Sequence, residues 1–302
     1  MAQLQIALVV PFLDEAAHLM ELLRSLAAQT RLPDRVLLVD DGSRDGSSAI
    51  AAGFAREHEW ARLVRRPPQA RGRDRLAGGT AAAAFAWGAD RLGASWDVVA
   101  KLDADLRLTA PTLASVEQSL QQRPRVGIAG PRLDVADAHG APPHRCPPDH
   151  VDGAAKFYRR ACWEEIAPFP QLLGWDTIDE IRARLRGWEV RSSDVPGGNP
   201  VQLRAMGRHD GLLRGYQRWG RCAWGLGEPP VHVLAVAAQR IGDPPPVLGS
   251  LNYVFGWASA ALRRAPRAEA EVRAFVRRDE LRRLRLRAAG RPTRPFVAEK
   301  AS

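Results

Sequence analysis

Residues 97–105 read DVVAKLDAD, an apolar run that ends in two aspartates separated by one residue. Two earlier apolar runs, at residues 6–10 and 35–39, are also followed by acidic residues. Short apolar runs that alternate with helical patterns are typical of βαβ units and a mostly parallel sheet. Because the carboxyl ends of parallel strands meet at one edge of the sheet, where ligands bind, the sequence predicts an α/β fold with an acidic crevice at that edge.

The segments between these runs carry helical periodicity. Residues 14–29 have leucines at helical spacing, and a second helix is expected over residues 47–58. The first two strands and the helix between them form one right-handed, Rossmann-like unit. We expect further strands at Leu63-Val64 and Val126–Ala129, and further helices up to Leu92, over Phe157–Ile166 and over Ile178–Arg186.

The composition indicates a globular protein of a reducing compartment. The chain has 302 residues, of which 45% are hydrophobic, and nine tryptophans, which excludes a disordered chain. Its three cysteines are an odd number without C-x-x-C spacing, so neither a disulfide framework nor a zinc cluster is expected. The apolar run at the N-terminus stops at Asp14 and follows no basic segment, which predicts a cytoplasmic protein without a signal peptide.

The net charge of +10 is concentrated at one end of the chain. Residues 263–302 contain 13 basic and five acidic residues, a net charge of +8, which leaves +2 for the other 262 residues. The body is nearly neutral and its predicted crevice is acidic, so a nucleic-acid-binding protein is not expected. We divide the chain into a catalytic domain, residues 1–210, and a helical, basic extension, residues 211–302.

The extension also has an apolar part. Residues 211–227 form an amphipathic helical pattern, and residues 231–262 are apolar with few interruptions. The longest uninterrupted stretch, Val247–Leu262, has 16 residues, short of the ~20 that a membrane-spanning helix needs. A peripheral contact with an anionic membrane, at its cytoplasmic face, is compatible with this pattern.

The two aspartates after residue 102 have the spacing of a cation site. Asp103 and Asp105 are two residues apart, so on extended backbone their side chains point to one side. Carboxylates in this arrangement suit Mg²⁺ or Mn²⁺, and such a cation could neutralise the charge of a departing diphosphate.

Three segments together resemble a known family: Val9–Glu15, Val39–Ser47 with its Asp-Asp-Gly-Ser element, and Lys101–Leu106 with its D-x-D element. They are similar to the inverting family 2 glycosyltransferases, which have the GT-A fold and use nucleotide sugars. The resemblance, which covers about residues 5–190, implies transfer of a sugar from a nucleoside diphosphate sugar to a hydroxyl of a saccharide or lipid-linked acceptor. It also suggests a role in cell-surface or extracellular polysaccharide synthesis.

The resemblance implies roles for individual residues. It places Pro11 and Glu15 in the nucleoside pocket, Asp41 at the base, Asp103 at the ribose or the metal, and Asp105 at the metal. Arg71 and Arg73 lie where the family often has a basic or small-residue loop, and guanidinium groups suit phosphate oxygens. A solvated surface loop is the alternative for these two arginines.

Three carboxylates in residues 174–180 are candidates for the catalytic base. Thr177 and Glu180 fit a capping box, which would assign Glu180 a structural task. Asp179 would then lie in the first helical turn, where the helix dipole stabilises its negative charge. Asp176 would lie just outside the helix, and an ungapped alignment from Gly187 matches it to the aspartate of the family's Glu-Asp pair. We therefore favour Asp176 as the base, with Asp179 as the alternative.

Other enzyme classes fit the sequence less well. A sugar-1-phosphate nucleotidyltransferase needs a glycine-rich, basic loop after the first strand, and residues 11–17 contain neither Gly nor Lys. The G-x-G-x-x-G element of dinucleotide oxidoreductases is absent there as well. A non-catalytic protein that binds nucleotide sugars remains an alternative.

Overall fold

The computed structural model describes residues 3–67, 79–93, 95–136, 148–204 and 211–288. The strands are β1 (Ile6–Phe12), β2 (Arg35–Asp40), β3 (Ala61–Arg65), β4 (Val98–Leu102), β5 (Leu106–Arg107), β6 (Val126–Pro131), β7 (Asp134–Val135), β8 (Ala155–Arg159), β9 (Glu189–Ser193) and β10 (Val201–Gln202). The helices are α1 (Leu19–Ala27), α2 (Ser47–Glu57), α3 (Thr80–Ala89), α4 (Thr112–Gln122), α5 (Arg160–Ile166), α6 (Trp175–Leu185), α7 (Leu212–Leu226), α8 (Pro230–Gln239), α9 (Leu248–Leu262) and α10 (Ala270–Ala288).

Seven strands form the main sheet in the order β3-β2-β1-β4-β8-β6-β9. All neighbours are parallel except β8, which runs antiparallel to both β4 and β6. A small second sheet joins β5, β10 and β7. The predicted α/β fold with a mostly parallel sheet is confirmed.

Helices cover both faces of the main sheet. Alternate residues of β1 explain this arrangement: Ile6, Leu8 and Val10 pack against α1, α2 and α4, whereas Ala7 and Val9 pack against α3, α5 and α6. Since β1 is buried on both faces, its sequence is continuously apolar, as expected for a central strand of a parallel sheet.

Helix α1 begins at Leu19, five residues later than the sequence pattern predicts. Asp14 has a positive φ of 55°, which no helix can include. The backbone N–H groups of Asp14 and Glu15 donate instead to the hydroxyls of Ser43 and Ser47, so this segment forms a loop.

The predicted helix over residues 157–166 is wrong in its first part. Residues 155–159 form β8, and only Arg160–Ile166 is helical. The aromatic side chains of Phe157 and Tyr158 are fully buried on opposite faces of the sheet. The sequence pattern hid this strand because the buried Lys156 reads as a solvent-facing residue.

The C-terminal part of the described chain consists of α7 to α10. Helices α7 and α9 cross closely, with a glycine of each helix at the contact. A Cβ atom on Gly220 would lie 1.9 Å from the Tyr253 carbonyl oxygen, and one on Gly256 would lie 2.2 Å from the Gln217 carbonyl oxygen. No helix in the described ranges has the length and hydropathy of a membrane span. The division of the chain at residue 210 stays a prediction.

We predict opposite effects of two glycine substitutions on stability. Gly220→Ala should lower the free energy of unfolding by about 1–3 kcal/mol, since the backbone of Tyr253 must move. Gly53→Ala, in the open interior of α2, should raise it by about 0.5–1 kcal/mol, because nothing lies within 4 Å of the new Cβ atom. Urea denaturation measures both, and equal stabilisation by the two changes would contradict the close helix crossing.

Candidate functional site

The loops after β1 and β2 are joined by side-chain hydrogen bonds. Ser43 Oγ accepts from the Asp14 N–H at 3.1 Å, and Ser47 Oγ accepts from the Glu15 N–H at 2.8 Å. The Ser47 hydroxyl and N–H also donate to Asp45, which holds the pKa of Asp45 below its usual range. Ser43, Ser47 and Asp45 therefore fix the position of Glu15.

The two aspartates at the end of β2 have different tasks. Asp40 is buried and accepts hydrogen bonds from the backbone N–H groups of Gly42 and Ser43, at 3.1 and 2.7 Å, which forms the turn. The Asp41 carboxylate forms an ion pair with Arg66, with 3.0 Å between Oδ1 and the guanidinium. The buried Nε of Arg66 has no hydrogen-bond partner in the part of the chain that is described.

Arg204 brings the ends of β1 and β4 together. Its guanidinium lies 2.5 Å from Glu15 Oε1 and 3.5 Å from Asp105 Oδ2. Burial raises the pKa of Asp105, which Arg204 partly offsets. Glu15 Oε2 is buried and finds no hydrogen-bond partner among the described residues. This cluster holds an acceptor atom that a bound ligand could satisfy.

Lys101 binds the first aspartate after β4. Its ammonium donates to Asp103 Oδ1 and, at 2.9 Å, to the carbonyl oxygen of Gly153. Burial raises the pKa of Asp103 to about 6, against the charge of Lys101. The D-x-D aspartates are thus each paired with one cation, Lys101 for the first and Arg204 for the second.

A second lysine lies directly opposite Lys101 on the neighbouring strand. Lys156 of β8 is the register partner of Lys101 on β4, and it is fully buried. Its ammonium lies 3.0 Å from Asp179 Oδ1 and 3.1 Å from Glu180 Oε1. The ring of Trp175 lies 5.2 Å from the Lys101 ammonium and 5.7 Å from that of Lys156, so one aromatic side chain lies close to both cations.

Asp179 is fully enclosed by its partners. Besides Lys156, the hydroxyl of Tyr158 donates to Oδ2 at 2.5 Å and the N–H of Glu180 donates to Oδ1 at 2.6 Å. Burial raises the pKa of Asp179 to about 6 and raises that of Tyr158, so the tyrosine hydroxyl stays protonated as a donor. This carboxylate has no exposed surface for an acceptor substrate.

Asp176 has a more open position in the first turn of α6. A Cβ atom added to Gly153 would lie 3.1 Å from its Oδ2 and 3.2 Å from the Trp175 ring, so these side chains pack closely against the glycine. The backbone carbonyl of Asp176 accepts from Lys156 at 2.5 Å, which fixes the start of the helix.

The capping-box prediction at this helix is wrong. The N-cap is Gly174, with φ of 83°, and no side chain caps the helix. Thr177 lies inside the first turn, and Glu180 binds the N–H of Val151 at 2.8 Å and the ring of His150 at 3.0 Å. Asp176 therefore lies within the helix and not outside it, because the glycine ends the preceding loop one turn earlier than the sequence pattern indicates.

The structure brings most of the predicted site residues to one edge of the main sheet. Pro11 lies in β1 opposite Val39 of β2, one residue before the loop that carries Glu15. Four carboxylates follow strand ends: Glu15 after β1, Asp41 after β2, and Asp103 and Asp105 after β4. The carboxylate of Asp176 faces Gly153. Arg71 and Arg73 lie outside the described residues.

Sequence reasoning missed three cations of the site. Lys101, Lys156 and Arg204 each bind carboxylates there, yet none was among the predicted site residues. One signal was present: the chain has 44 basic residues but only three lysines, and two of them are Lys101 and Lys156. Arg204 has no such signal, because its contacts join residues that are distant in the sequence.

The comparisons with known proteins identify the family. The model of the family described as "Glycosyl transferase family 2" matches residues 7–160, which include β1 except Ile6, β2 to β8 and the strand-end carboxylates. The chain belongs to glycosyl transferase family 2. It is therefore a glycosyltransferase, and not a sugar-1-phosphate nucleotidyltransferase. No curated protein sequence matches the chain significantly.

Solved structures show the same fold. The chain is similar to the mannosyltransferase PcManGT from Pyrobaculum calidifontis, solved with GDP-Man and Mn²⁺, with a TM-score of 0.55 and 19% identity over 94% of this chain and 81% of that one. It is also similar to residues 1–349 of S. aureus TarS, solved with UDP-GlcNAc, with a TM-score of 0.51 and 14% identity over 87% of this chain and 92% of that one. Both likenesses confirm the GT-A fold.

The donor set at the end of β4 suits a divalent cation that is shared with a substrate. Within the described residues, no three acidic, histidine or cysteine side chains surround one point. Proteins commonly hold Mg²⁺ and Mn²⁺ through only one or two carboxylates, while substrate phosphates and water complete the coordination. Burial raises the pKa of both carboxyls, and a nearby negative charge adds to each rise, that of Asp105 at Asp103 and that of Glu15 at Asp105. They fit such a cation.

We predict a pH-dependent contribution of His150 to stability. Burial and the charge of Lys156 lower the pKa of His150. The charge and the hydrogen bond of the Glu180 carboxylate, with a smaller contribution from Asp176, outweigh them, so the pKa is raised above its ordinary value of 6.5. The charged pair therefore stabilises the fold fully below pH 6.5 and loses its contribution as the pH rises through the raised pKa. In urea denaturation, His150→Gln should be most destabilising below pH 6.5 and less so at higher pH, whereas a pH-independent difference would contradict the ion pair.

Proposed function

We propose that the protein transfers a sugar from a nucleoside diphosphate sugar to an acceptor hydroxyl, with inversion at the anomeric carbon. The observation that carries this proposal is the convergence of Glu15, Asp41, Asp103 and Asp105 at the carboxyl edge of the parallel strands. Family membership and the nucleotide sugars bound by PcManGT and TarS support the donor class.

The nucleoside end of the donor would lie between β1 and β2. Pro11 and Glu15 line this side, and Asp41 contacts the base. Two buried atoms near these residues support the assignment, the acceptor Glu15 Oε2 and the donor Arg66 Nε, which have no partners in the described ranges. Because unsatisfied buried polar atoms destabilise a fold, a ligand with N–H, O–H and carbonyl groups would satisfy both.

The diphosphate end would lie at the end of β4. Asp103 and Asp105 would hold Mg²⁺ or Mn²⁺ there, and the cation would supply neutralisation of the negative charge on the departing diphosphate. Lys101 and Arg204 keep these carboxylates oriented by ion pairs before a donor binds. Arg71 and Arg73 remain candidates for phosphate contacts.

Asp176 is the proposed general base. It removes the proton of the acceptor hydroxyl while the oxygen attacks the anomeric carbon from the face opposite the diphosphate, which inverts the configuration. Asp176 faces Gly153, and the carbonyl oxygen of Gly153 accepts a hydrogen bond from Lys101. Because Lys101 also donates to Asp103, we place the base on the sugar side of the donor site. Asp179 is a positioning residue, because its enclosed carboxylate fixes Lys156 and Lys156 binds the backbone of Asp176.

The proposed acceptor is a saccharide or a lipid-linked acceptor, in cell-surface or extracellular polysaccharide synthesis. We place the reaction in the cytoplasm, at the inner face of the membrane, with the basic C-terminal extension in peripheral contact with anionic lipids. The +8 net charge of residues 263–302 supports that contact.

Substitution of the two aspartates of α6 tests the proposed chemistry. Asp176→Asn should lower kcat by at least about 10²-fold, the low end for loss of a general base, with unchanged binding of the donor nucleotide. Asp179→Asn should lower the free energy of unfolding, because it breaks a buried ion pair. Its effect on the free energy of donor binding should be smaller. Release of nucleoside diphosphate in the presence of acceptor measures kcat.

The pair of variants also separates the alternatives. Activity of Asp176→Asn together with a 10²-fold loss in a stably folded Asp179→Asn would contradict the assignment of the base. Sugar-nucleotide binding without turnover by the unmodified protein, over a broad set of acceptors, would favour a non-catalytic binding protein.

A further inference from the structure

Helix α9 exposes an apolar stripe to solvent. Leu248, Leu251, Phe255 and Leu262 recur at helical spacing, and their exposed fractions are 53, 59, 58 and 87%. The opposite face of α9 is buried against α7 through small residues and Tyr253. Packing against the fold therefore uses only one side of this apolar helix.

Helix α8 and Ile241, two residues after its end, add a second stripe. Val231, Leu234, Ala238 and Ile241 are all exposed and recur at helical spacing. A groove of about 430 Å³ lies between the two stripes, and apart from Ser250 only apolar side chains line it, among them Leu234, Ile241, Leu251 and Phe255. We call the two stripes and the groove the α8–α9 surface.

This surface accounts for most of the exposed large apolar side chains. Of the 13 such side chains in the described residues, eight belong to this surface and three more lie on the neighbouring helix α7. Single exposed apolar residues are ordinary in soluble proteins, but a contiguous apolar patch marks a binding surface for a protein, a ligand or a membrane. The clustering therefore requires a partner.

The charges around the α8–α9 surface are positive. Residues 212–264 contain six arginines and two acidic residues. Arg240 follows α8 and lies 4.9 Å above the half-exposed ring of Trp219, and the exposed Arg263 and Arg264 follow α9 directly. Neither acidic residue is exposed: Glu228 contacts the Tyr253 hydroxyl at 3.4 Å, and Asp243 is half-buried in the turn after α8. An apolar face edged by arginines and a tryptophan is complementary to an anionic lipid surface.

We propose that the α8–α9 surface inserts into the interfacial region of a bilayer that contains anionic lipids. Leu251 and Phe255 enter the acyl boundary, while Arg240, Arg263 and Arg264 bind lipid phosphates. The inference deepens the proposed function and rests on it for the choice of a membrane, since a lipid-linked acceptor would be held there.

The α8–α9 surface reaches the catalytic domain through α7. Helix α9 packs on α7, and Cys222 of α7 contacts Gly174, where a Cβ atom would lie 2.4 Å from its Sγ. Gly174 caps α6, the helix that carries Asp176. Lipid binding at α8 and α9 therefore occurs on elements that reach α6, the helix with the proposed base, through α7.

Co-sedimentation with lipid vesicles tests this surface in the full chain. Leu251→Glu/Phe255→Glu adds two negative charges to it, and the matched control Met20→Glu/Leu32→Glu adds the same charge at exposed apolar residues of the catalytic domain. With vesicles of phosphatidylcholine and phosphatidylglycerol, the parent and the control should bind alike, and the α8–α9 variant should bind at least tenfold more weakly. Pure phosphatidylcholine vesicles should bind the parent several-fold more weakly.

Each other result with vesicles overturns the proposal. Absence of binding by the parent, or equal binding by the α8–α9 variant and the control, would exclude insertion through this surface. A parent dimer in light scattering that the α8–α9 variant converts into a monomer would assign the surface to a second copy of the chain. Thermal stabilisation by a nucleoside diphosphate is measured in parallel, and its absence in a vesicle-binding parent would contradict the proposed transferase function alone.

Discussion

The fully buried ammonium of Lys156 holds the site together. It lies between Asp179 and Glu180 of α6 while its backbone lies in β8, so this ion pair joins the helix that carries Asp176 to the sheet that carries the D-x-D aspartates. Removal of one partner of such a pair leaves an uncompensated buried charge, which typically destabilises a protein by about 3–5 kcal/mol. The positions of Asp176 and Trp175 therefore depend on Lys156.

The register partner Lys101 imposes a second constraint. Like charges directly opposite on neighbouring strands repel each other, so each lysine needs its own carboxylate. Lys101 binds Asp103, and Lys156 binds Asp179 and Glu180. The ring of Trp175 lies close to both lysines. The contacts of Lys101 thus place a D-x-D aspartate and the ring of Trp175 close to one cation. An acidic crevice becomes compatible with a diphosphate because cations already balance its carboxylates.

The sequence predicts the carboxylate edge well for a simple reason. Parallel strands bring their carboxyl ends to one edge whatever the loops do, so Glu15, Asp41, Asp103 and Asp105 could be grouped from three apolar runs alone. Local patterns predicted less about α6. Gly174 takes a positive φ and begins the helix, and Glu180 binds residues 29 or 30 positions away instead of capping it.

Strand β8 and Arg204 lay beyond local patterns for a different reason. The sequence of β8 alternates weakly, and a buried lysine within it is stable only through partners on α6 that follow 23 and 24 residues later. Arg204 contacts Glu15 across 189 residues of chain. Such long-range ion pairs depend on the completed fold, and single-sequence periodicity contains no information about them.

Thermal unfolding with nucleoside diphosphates in Mn²⁺ tests the central claim most directly, namely that the carboxylates at the end of β4 form the donor site. At a ligand concentration of 100 Kd, a specific nucleotide stabilises the fold by about 2.7 kcal/mol. We predict that Asp105→Asn or EDTA abolishes this stabilisation, and that the control Asp194→Asn, at an exposed carboxylate, retains it. Full stabilisation of Asp105→Asn in EDTA would contradict the account.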